Sequence, residues 1–209
     1  RPPISTLFPY TTLFRSGVYL SVPYFGLYVV SNLKISYFMI SMLGFLASFE
    51  KAVIIRSWGR LADRTSWAFV SKLAIALIGL SFFTNAFMIQ SNAAWLYPFN
   101  VVLSSLGWAP AGMAFLNIQY DFAPLKARTM YIGICAGITG IIGFIGTLMG
   151  AVILKAVQFF EPVFFGQTVS GQQVLMLISG LIFTACFIYI TKVVEKNKKI
   201  INKTEGLAL

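Results

Sequence analysis

The chain has 209 residues, 58% of them hydrophobic and only 11% charged, with a mean hydropathy of +0.81. Soluble domains carry about 25% charged residues because their surfaces face water, so this composition excludes an ordinary soluble domain and points to a bilayer. The formal net charge of +10 does not indicate nucleic acid, which needs a continuous basic surface; here the basic residues gather between long apolar runs.

In chain order, residues 1–16 stand apart. Arg1 is followed by Pro2 and Pro3, Pro9 interrupts the apolar residues and Arg15 closes the stretch. A secretory signal needs an unbroken apolar run of roughly 7–15 residues, so this is neither a signal peptide nor a span. Gly17–Ser31 is apolar and aromatic but, at 15 residues, too short to cross a bilayer at about 1.5 Å per residue. It reads as the end of a helix whose beginning is missing. Five segments then reach the roughly 20 apolar residues that a spanning helix requires: Tyr37–Trp58, Trp67–Ile89, Ala93–Tyr120, Met130–Leu154 and Val174–Val193. The predicted fold is therefore all-α, a polytopic membrane helix bundle over 17–193, followed by a basic tail over 194–209.

Charge sets the orientation. The loop after Trp58, the loop after Tyr120 and the tail together hold Arg60, Arg64, Lys126, Arg128, Lys196, Lys198, Lys199 and Lys203, while the opposite side has Lys34 and little else. The positive-inside rule puts the first set, and with it the C-terminus, in the cytoplasm. The chain contains no histidine, which removes the commonest metal ligand and acid–base group. Cys135 and Cys186 lie inside apolar runs and read as small packing residues rather than a disulfide or metal pair. No metal and no cofactor is implied, nor is catalysis.

Between the first two full spans stands "WGRLADRTSW", Trp58–Trp67. Gly59 is expected to let the backbone turn tightly, Asp63 to lie near a helix N-terminus where the dipole favours a carboxylate, and Arg60 and Arg64 to hold or release a neighbouring helix end. Gly59-x-Leu61-Ala62-Asp63-Arg64 in this position resembles the signature loop of the major facilitator superfamily. Ser66 stands where that family usually has a second glycine, and Ala68 and Phe69 replace basic residues, as in weakened copies from the second half of the family's two-repeat architecture. The loop "DFAPLKARTMY", with Asp121, Pro124 and Arg128, is similar to the family's corresponding loop. The resemblance implies helices seven to twelve of a twelve-helix secondary transporter, helix seven truncated, in the cell membrane. Its partners would be a small-molecule substrate, a coupling proton or sodium ion, the lipid bilayer and a missing six-helix half, the two halves rocking about a midplane site. Gly59, Asp63, Arg64, Asp121 and Arg128 would form the conformational gate.

Charge inside the membrane is costly and marks function by default. Glu50 and Lys51 fall within the Tyr37–Trp58 span. Lys51 shares a face with Ser41, Gly44 and Ser48, the stripe best suited to border a cavity, although lysine can also snorkel to the interface. Glu50, with its shorter stem, needs a cation on another helix or a proton, and is the candidate coupling residue. In "SLGWAPAGMAFLN", Pro110 removes a helical hydrogen bond and Gly107 and Gly112 are expected to loosen the helix on either side. Because the first and fourth helices of each half line the cavity in the resembled family, the resemblance points to Tyr24, Phe25, Tyr28, Asn100 and Trp108 as substrate-binding residues, and the polar stripe of its own helix adds Lys51. Gly133, Ala136, Gly140, Gly143, Thr147 and Gly150 form one stripe of small residues, the signature of a close helix–helix seam.

Thr6–Ser16, "TLFPYTTLFRS", resembles a common sequencing adapter translated codon for codon, and Arg1–Ser5 resembles its upstream part. Residues 1–16 are accordingly expected to be a library artefact joined to a genuine sequence starting at Gly17. Two rival readings stay open: an integral-membrane enzyme, which would need clustered acid, His or Ser groups, and a self-contained six-helix membrane protein acting as a dimer.

Overall fold

The computed structural model describes residues 8–122, 128–160, 163–164 and 167–194. Six helices are present among them: α1 (Phe8–Ser31), α2 (Tyr37–Arg64), α3 (Trp67–Ala86), α4 (Ala93–Phe122), α5 (Arg128–Phe160) and α6 (Gly171–Tyr189), the last continued by a π-helical turn, Ile190–Val194. A two-residue antiparallel hairpin, β1 (Val163–Phe164) and β2 (Gln167–Thr168), pairs Val163 with Thr168 just before α6. Five helices are long and apolar enough to cross a membrane, as an integral membrane protein requires: Tyr37–Arg64, Trp67–Ala86, Ala93–Tyr120, Arg128–Phe159 and Gly171–Val193. These are the five segments that hydropathy predicts.

Helix starts follow local chemistry. Ser36 and Ser66 accept hydrogen bonds from the Met39 and Phe69 amides, capping α2 and α3, and Ser170 with Gln173 forms a capping box for α6. Such side chains take over amide donors that the first helical turn leaves without a partner. Between α1 and α2, Lys34 adopts φ 53°, a left-handed conformation that lets the chain reverse within a few residues.

α3 is the central helix. Half of its apolar stretch is buried, against 6% for α2 and 22% for α5. Its buried face (Ala74, Ile75, Ile78, Phe82) meets Ala111 and Ile118 of α4 and Met176, Phe183 and Cys186 of α6. α1 packs across α5 and α6, and α2 lies chiefly against α4. Lipid tails are as apolar as leucine, so contact quality and hydrogen bonds between helices decide which faces meet. Ser179 donates to Ser21 at 2.9 Å across α6 and α1, both fully buried. Tyr28 on α1 and Gln173 on α6 both donate to the Met88 carbonyl after α3, at 2.7 and 3.1 Å. Those bonds, with the cluster of Leu33, Ile35 and Ala93, gather three inter-helix connections at one end of the bundle.

Four sequence expectations change. α1 does not start at Gly17 but at Phe8. Pro9 falls in its first turn, where a missing N–H costs nothing, and Phe14 of the adapter-like stretch packs against Trp108, Phe115 and Phe183 at ring separations of 5.7, 4.2 and 5.5 Å. The Gly59–Arg64 segment is not a loop: it forms the last turns of α2, leaving only Thr65 and Ser66 before α3. Gly107 does not loosen α4. A Cβ there would stand 3.0 Å from the Ile78 amide nitrogen and 3.1 Å from the Ala74 carbonyl, so this glycine is a point of close approach between α3 and α4. The small-residue seam of α5 is closed only in its second half, where Gly143 and Gly150 lie against Tyr19, Leu20 and Tyr24; Gly133 and Gly140 have nothing within 4 Å.

Candidate functional site

Five helices leave a cavity of about 250 Å³ between them. α1 contributes Phe25, α2 contributes Ala47 and Lys51, α3 contributes Ser81, Phe82 and Asn85, and α6 contributes Met176. α4 supplies most of the wall, from Tyr97 and Asn100 through Ser104 and Ser105 to Trp108. Asn100, Ser104 and Trp108 recur every four residues, as do Ser81 and Asn85, so each helix turns one polar stripe inward.

The polar groups have distinct roles. The Asn100 amide donates to the Ser81 carbonyl at 2.7 Å and accepts from the Ser81 hydroxyl at 3.3 Å. This reciprocal pair ties α3 to α4 and leaves Asn100, 4% exposed, satisfied. The one Ser105 hydroxyl proton is shared between Glu50 on α2 and, at 2.9 Å, the Val102 carbonyl. The sequence reading expected either a cation or a proton for Glu50; among the described residues it meets the Ser105 hydroxyl, which pairs with either form of the carboxyl group. Asn85 is 6% exposed and its Oδ1 is buried without a hydrogen-bond partner. A buried unpartnered acceptor costs about 1–3 kcal/mol, which sets Asn85 apart from its satisfied neighbours. Pro110 lies one helical half-turn beyond Trp108 and cannot donate to the carbonyl of residue 106, placing the irregular point of α4 beside the cavity.

Of the six residues proposed for substrate, Phe25, Lys51, Asn100 and Trp108 converge on this one cavity. Tyr24 and Tyr28 lie elsewhere. Tyr24 donates to the Thr147 carbonyl of α5 at 2.6 Å, and Tyr28 to Met88 as described above. The face of α2 that borders the cavity is Ala47–Lys51 rather than the Ser41–Gly44–Ser48 stripe, which is exposed, Ser48 bonding its own helix at the Gly44 carbonyl. With α2 extended to Arg64, Lys51 stands at the middle of the helix. Ser105, Asn85 and Tyr97 were not singled out in the sequence. The four-residue spacing of Asn100, Ser104 and Trp108 was the available signal.

The proposed gate residues are not brought together by the described residues. Gly59 is helical with open space around it. Asp63 and Arg64 are exposed in the last turn of α2, so Asp63 sits at a helix C-terminus, where the dipole disfavours a carboxylate, and Ser66 takes the N-terminal role at α3. Arg128 opens α5 with its guanidinium 5.3 Å from the Tyr120 ring centroid and its Nε buried without a partner. The Asp121 side chain and the tail over 195–209 lie outside the described residues.

A second cavity of about 330 Å³ lies between α1, α4 and α5, but Thr11, Phe14 and Arg15 of the adapter-like stretch form part of its wall. Compared with known families and with curated proteins, the chain has no match: no family model and no curated relative aligns with it.

Proposed function

We propose that the chain is the C-terminal six-helix half of a secondary transporter of the major-facilitator type, which moves a small solute by alternating access. The observation that carries this reading is the cavity among largely apolar spans on which Phe25, Lys51, Asn100 and Trp108 converge. Intramembrane polar clusters line solute pathways, and Pro110 within α4, beside the cavity, suits a helix interrupted at a binding site. The low burial of α2 and α5 supports the same reading, since a half-transporter needs faces for its other half. Glu50, held by Ser105 beside the cavity, is the residue through which proton coupling would act.

The test is to amplify and sequence source DNA upstream of the Gly17 codon. The reading frame is expected to continue through about six further spans, with a stronger copy of the Gly59–Arg64 pattern in the first half. The complete protein, reconstituted in vesicles, should then exchange solute across the membrane. Finding the "TLFPYTTLFRS" codons in the genome, with a start just before them, would refute both the artefact reading and the half-transporter reading.

A further inference from the structure

We propose that the cavity bordered by α1, α2, α3, α4 and α6 binds a small organic monoanion, a carboxylate on a flat apolar body that carries one hydrogen-bond donor, with Lys51 as counter-charge and Asn85 as acceptor. The proposal rests on the transporter reading and names its substrate class.

Charge decides the sign of the ligand. Lys51 is the charged side chain of the lining, whereas the adjacent Glu50 is not part of the wall and meets the Ser105 hydroxyl instead. Lys51 is exposed where it lines the cavity, midway along a spanning helix, and an ammonium beside an apolar wall attracts an anion more strongly than one surrounded by water. Shape decides the body. Phe25, Phe82, Tyr97 and Trp108 present flat aromatic surfaces, against which a planar or apolar group packs by offset or edge contacts. The volume of about 250 Å³ falls just under the roughly 300–1,000 Å³ of pockets for drug-sized molecules, which suits a single ring or its aliphatic equivalent. Satisfaction decides the remaining polar contact. Ser81 and Asn100 complete each other, while the Asn85 Oδ1 has no partner and is left to accept from a hydroxyl or amine on the ligand.

The full 209-residue chain in lipid nanodiscs serves for the test, with equilibrium dialysis against four radiolabelled probes: 4-hydroxyphenylacetate, its neutral isostere 4-hydroxyphenylacetamide, the cation tyramine, and phenylacetate, which lacks the hydroxyl. The hydroxylated acid is expected to bind at least tenfold more tightly than the amide or tyramine. Lys51→Gln should erase that preference and Lys51→Arg should keep part of it, each with unchanged helicity and a single elution peak. Asn85→Leu should erase the advantage of the hydroxylated acid over phenylacetate while leaving the acid–amide preference intact. Equal binding of acid and amide, survival of the preference in Lys51→Gln (a lysine that only snorkels to the interface), or no binding of any probe at millimolar concentration would overturn the proposal. The two readings fail separately. A complete protein that carries neutral solutes without anion preference removes the proposal and leaves the transporter; acid binding here without transport by the complete protein does the reverse.

Discussion

Gly107→Ala and Gly112→Ala make the same chemical change on the same helix, three and two residues from Pro110. Their surroundings differ. At Gly107 the new methyl would meet Ile78 Cγ1 at 2.8 Å and two backbone atoms of α3 at 3.0 and 3.1 Å; at Gly112 nothing lies within 4 Å. A side chain can rotate away, but the backbone of α3 cannot move without separating the best-packed pair of helices. Both variants gain the same helix propensity, up to about 1 kcal/mol, so the difference between them isolates the overlap. Overpacking of this kind costs about 1–3 kcal/mol, which at ~2–4 °C per kcal/mol for a chain of this length separates the two melting points by roughly 2–12 °C. Cys135 and Cys186 are buried, at 8% and 0% exposure, so a maleimide dye that fluoresces on reacting with thiols follows unfolding in detergent. Gly107→Ala should melt below Gly112→Ala. If it melts at the same temperature or higher, α3 and α4 do not cross at this glycine.

Tyr24→Phe removes the 2.6 Å hydrogen bond to the Thr147 carbonyl and should lower stability by about 1 kcal/mol without altering probe binding; loss of binding would place Tyr24 in the site after all. Asn85→Leu removes a buried acceptor that has no partner, so the same dye assay should show a melting point equal to or above the parent's, and a fall of several degrees would reveal a partner in the membrane. Thr65→Cys and Ser91→Cys, both at exposed positions in connections at opposite ends of the bundle, should react with an impermeant maleimide from opposite sides of a vesicle, Thr65→Cys from the cytoplasmic side. Labelling of both from one side would refute the alternating path of α2, α3 and α4. Gly150→Ala, whose methyl would meet Tyr24 at 2.7 Å and the Leu20 backbone, should be destabilising where Gly137→Ala, with open space, is not; equal melting points would refute the α1–α5 contact.

The spans were legible because the bilayer imposes a length and a polarity that a sequence displays directly. All five predicted spans recur as helices within a few residues at most ends. Ends were less legible where helix and loop chemistry overlap. Gly59, Asp63 and Arg64 look like a loop, yet nothing in the stretch ends a helix until Thr65, and α2 runs on to Arg64. Glycines were ambiguous for a related reason: Gly107 and Gly112 flank the same proline in sequence, and only the position of α3 tells a close approach from open space.

Composition and periodicity alone determined that the chain is a bundle of membrane-length helices, which residues carry charge into it, and that basic residues favour one end. Each of these is a property of one segment and its solvent. What only the tertiary structure decided is which of those residues meet: that Lys51 shares a cavity with Phe25, Asn100 and Trp108, that Tyr24 and Tyr28 do not, and that Glu50 finds Ser105. Inside a membrane, apolar faces gain little by choosing one another over lipid. Helix pairing therefore follows a few close approaches and hydrogen bonds between residues far apart in the chain, which no local pattern records.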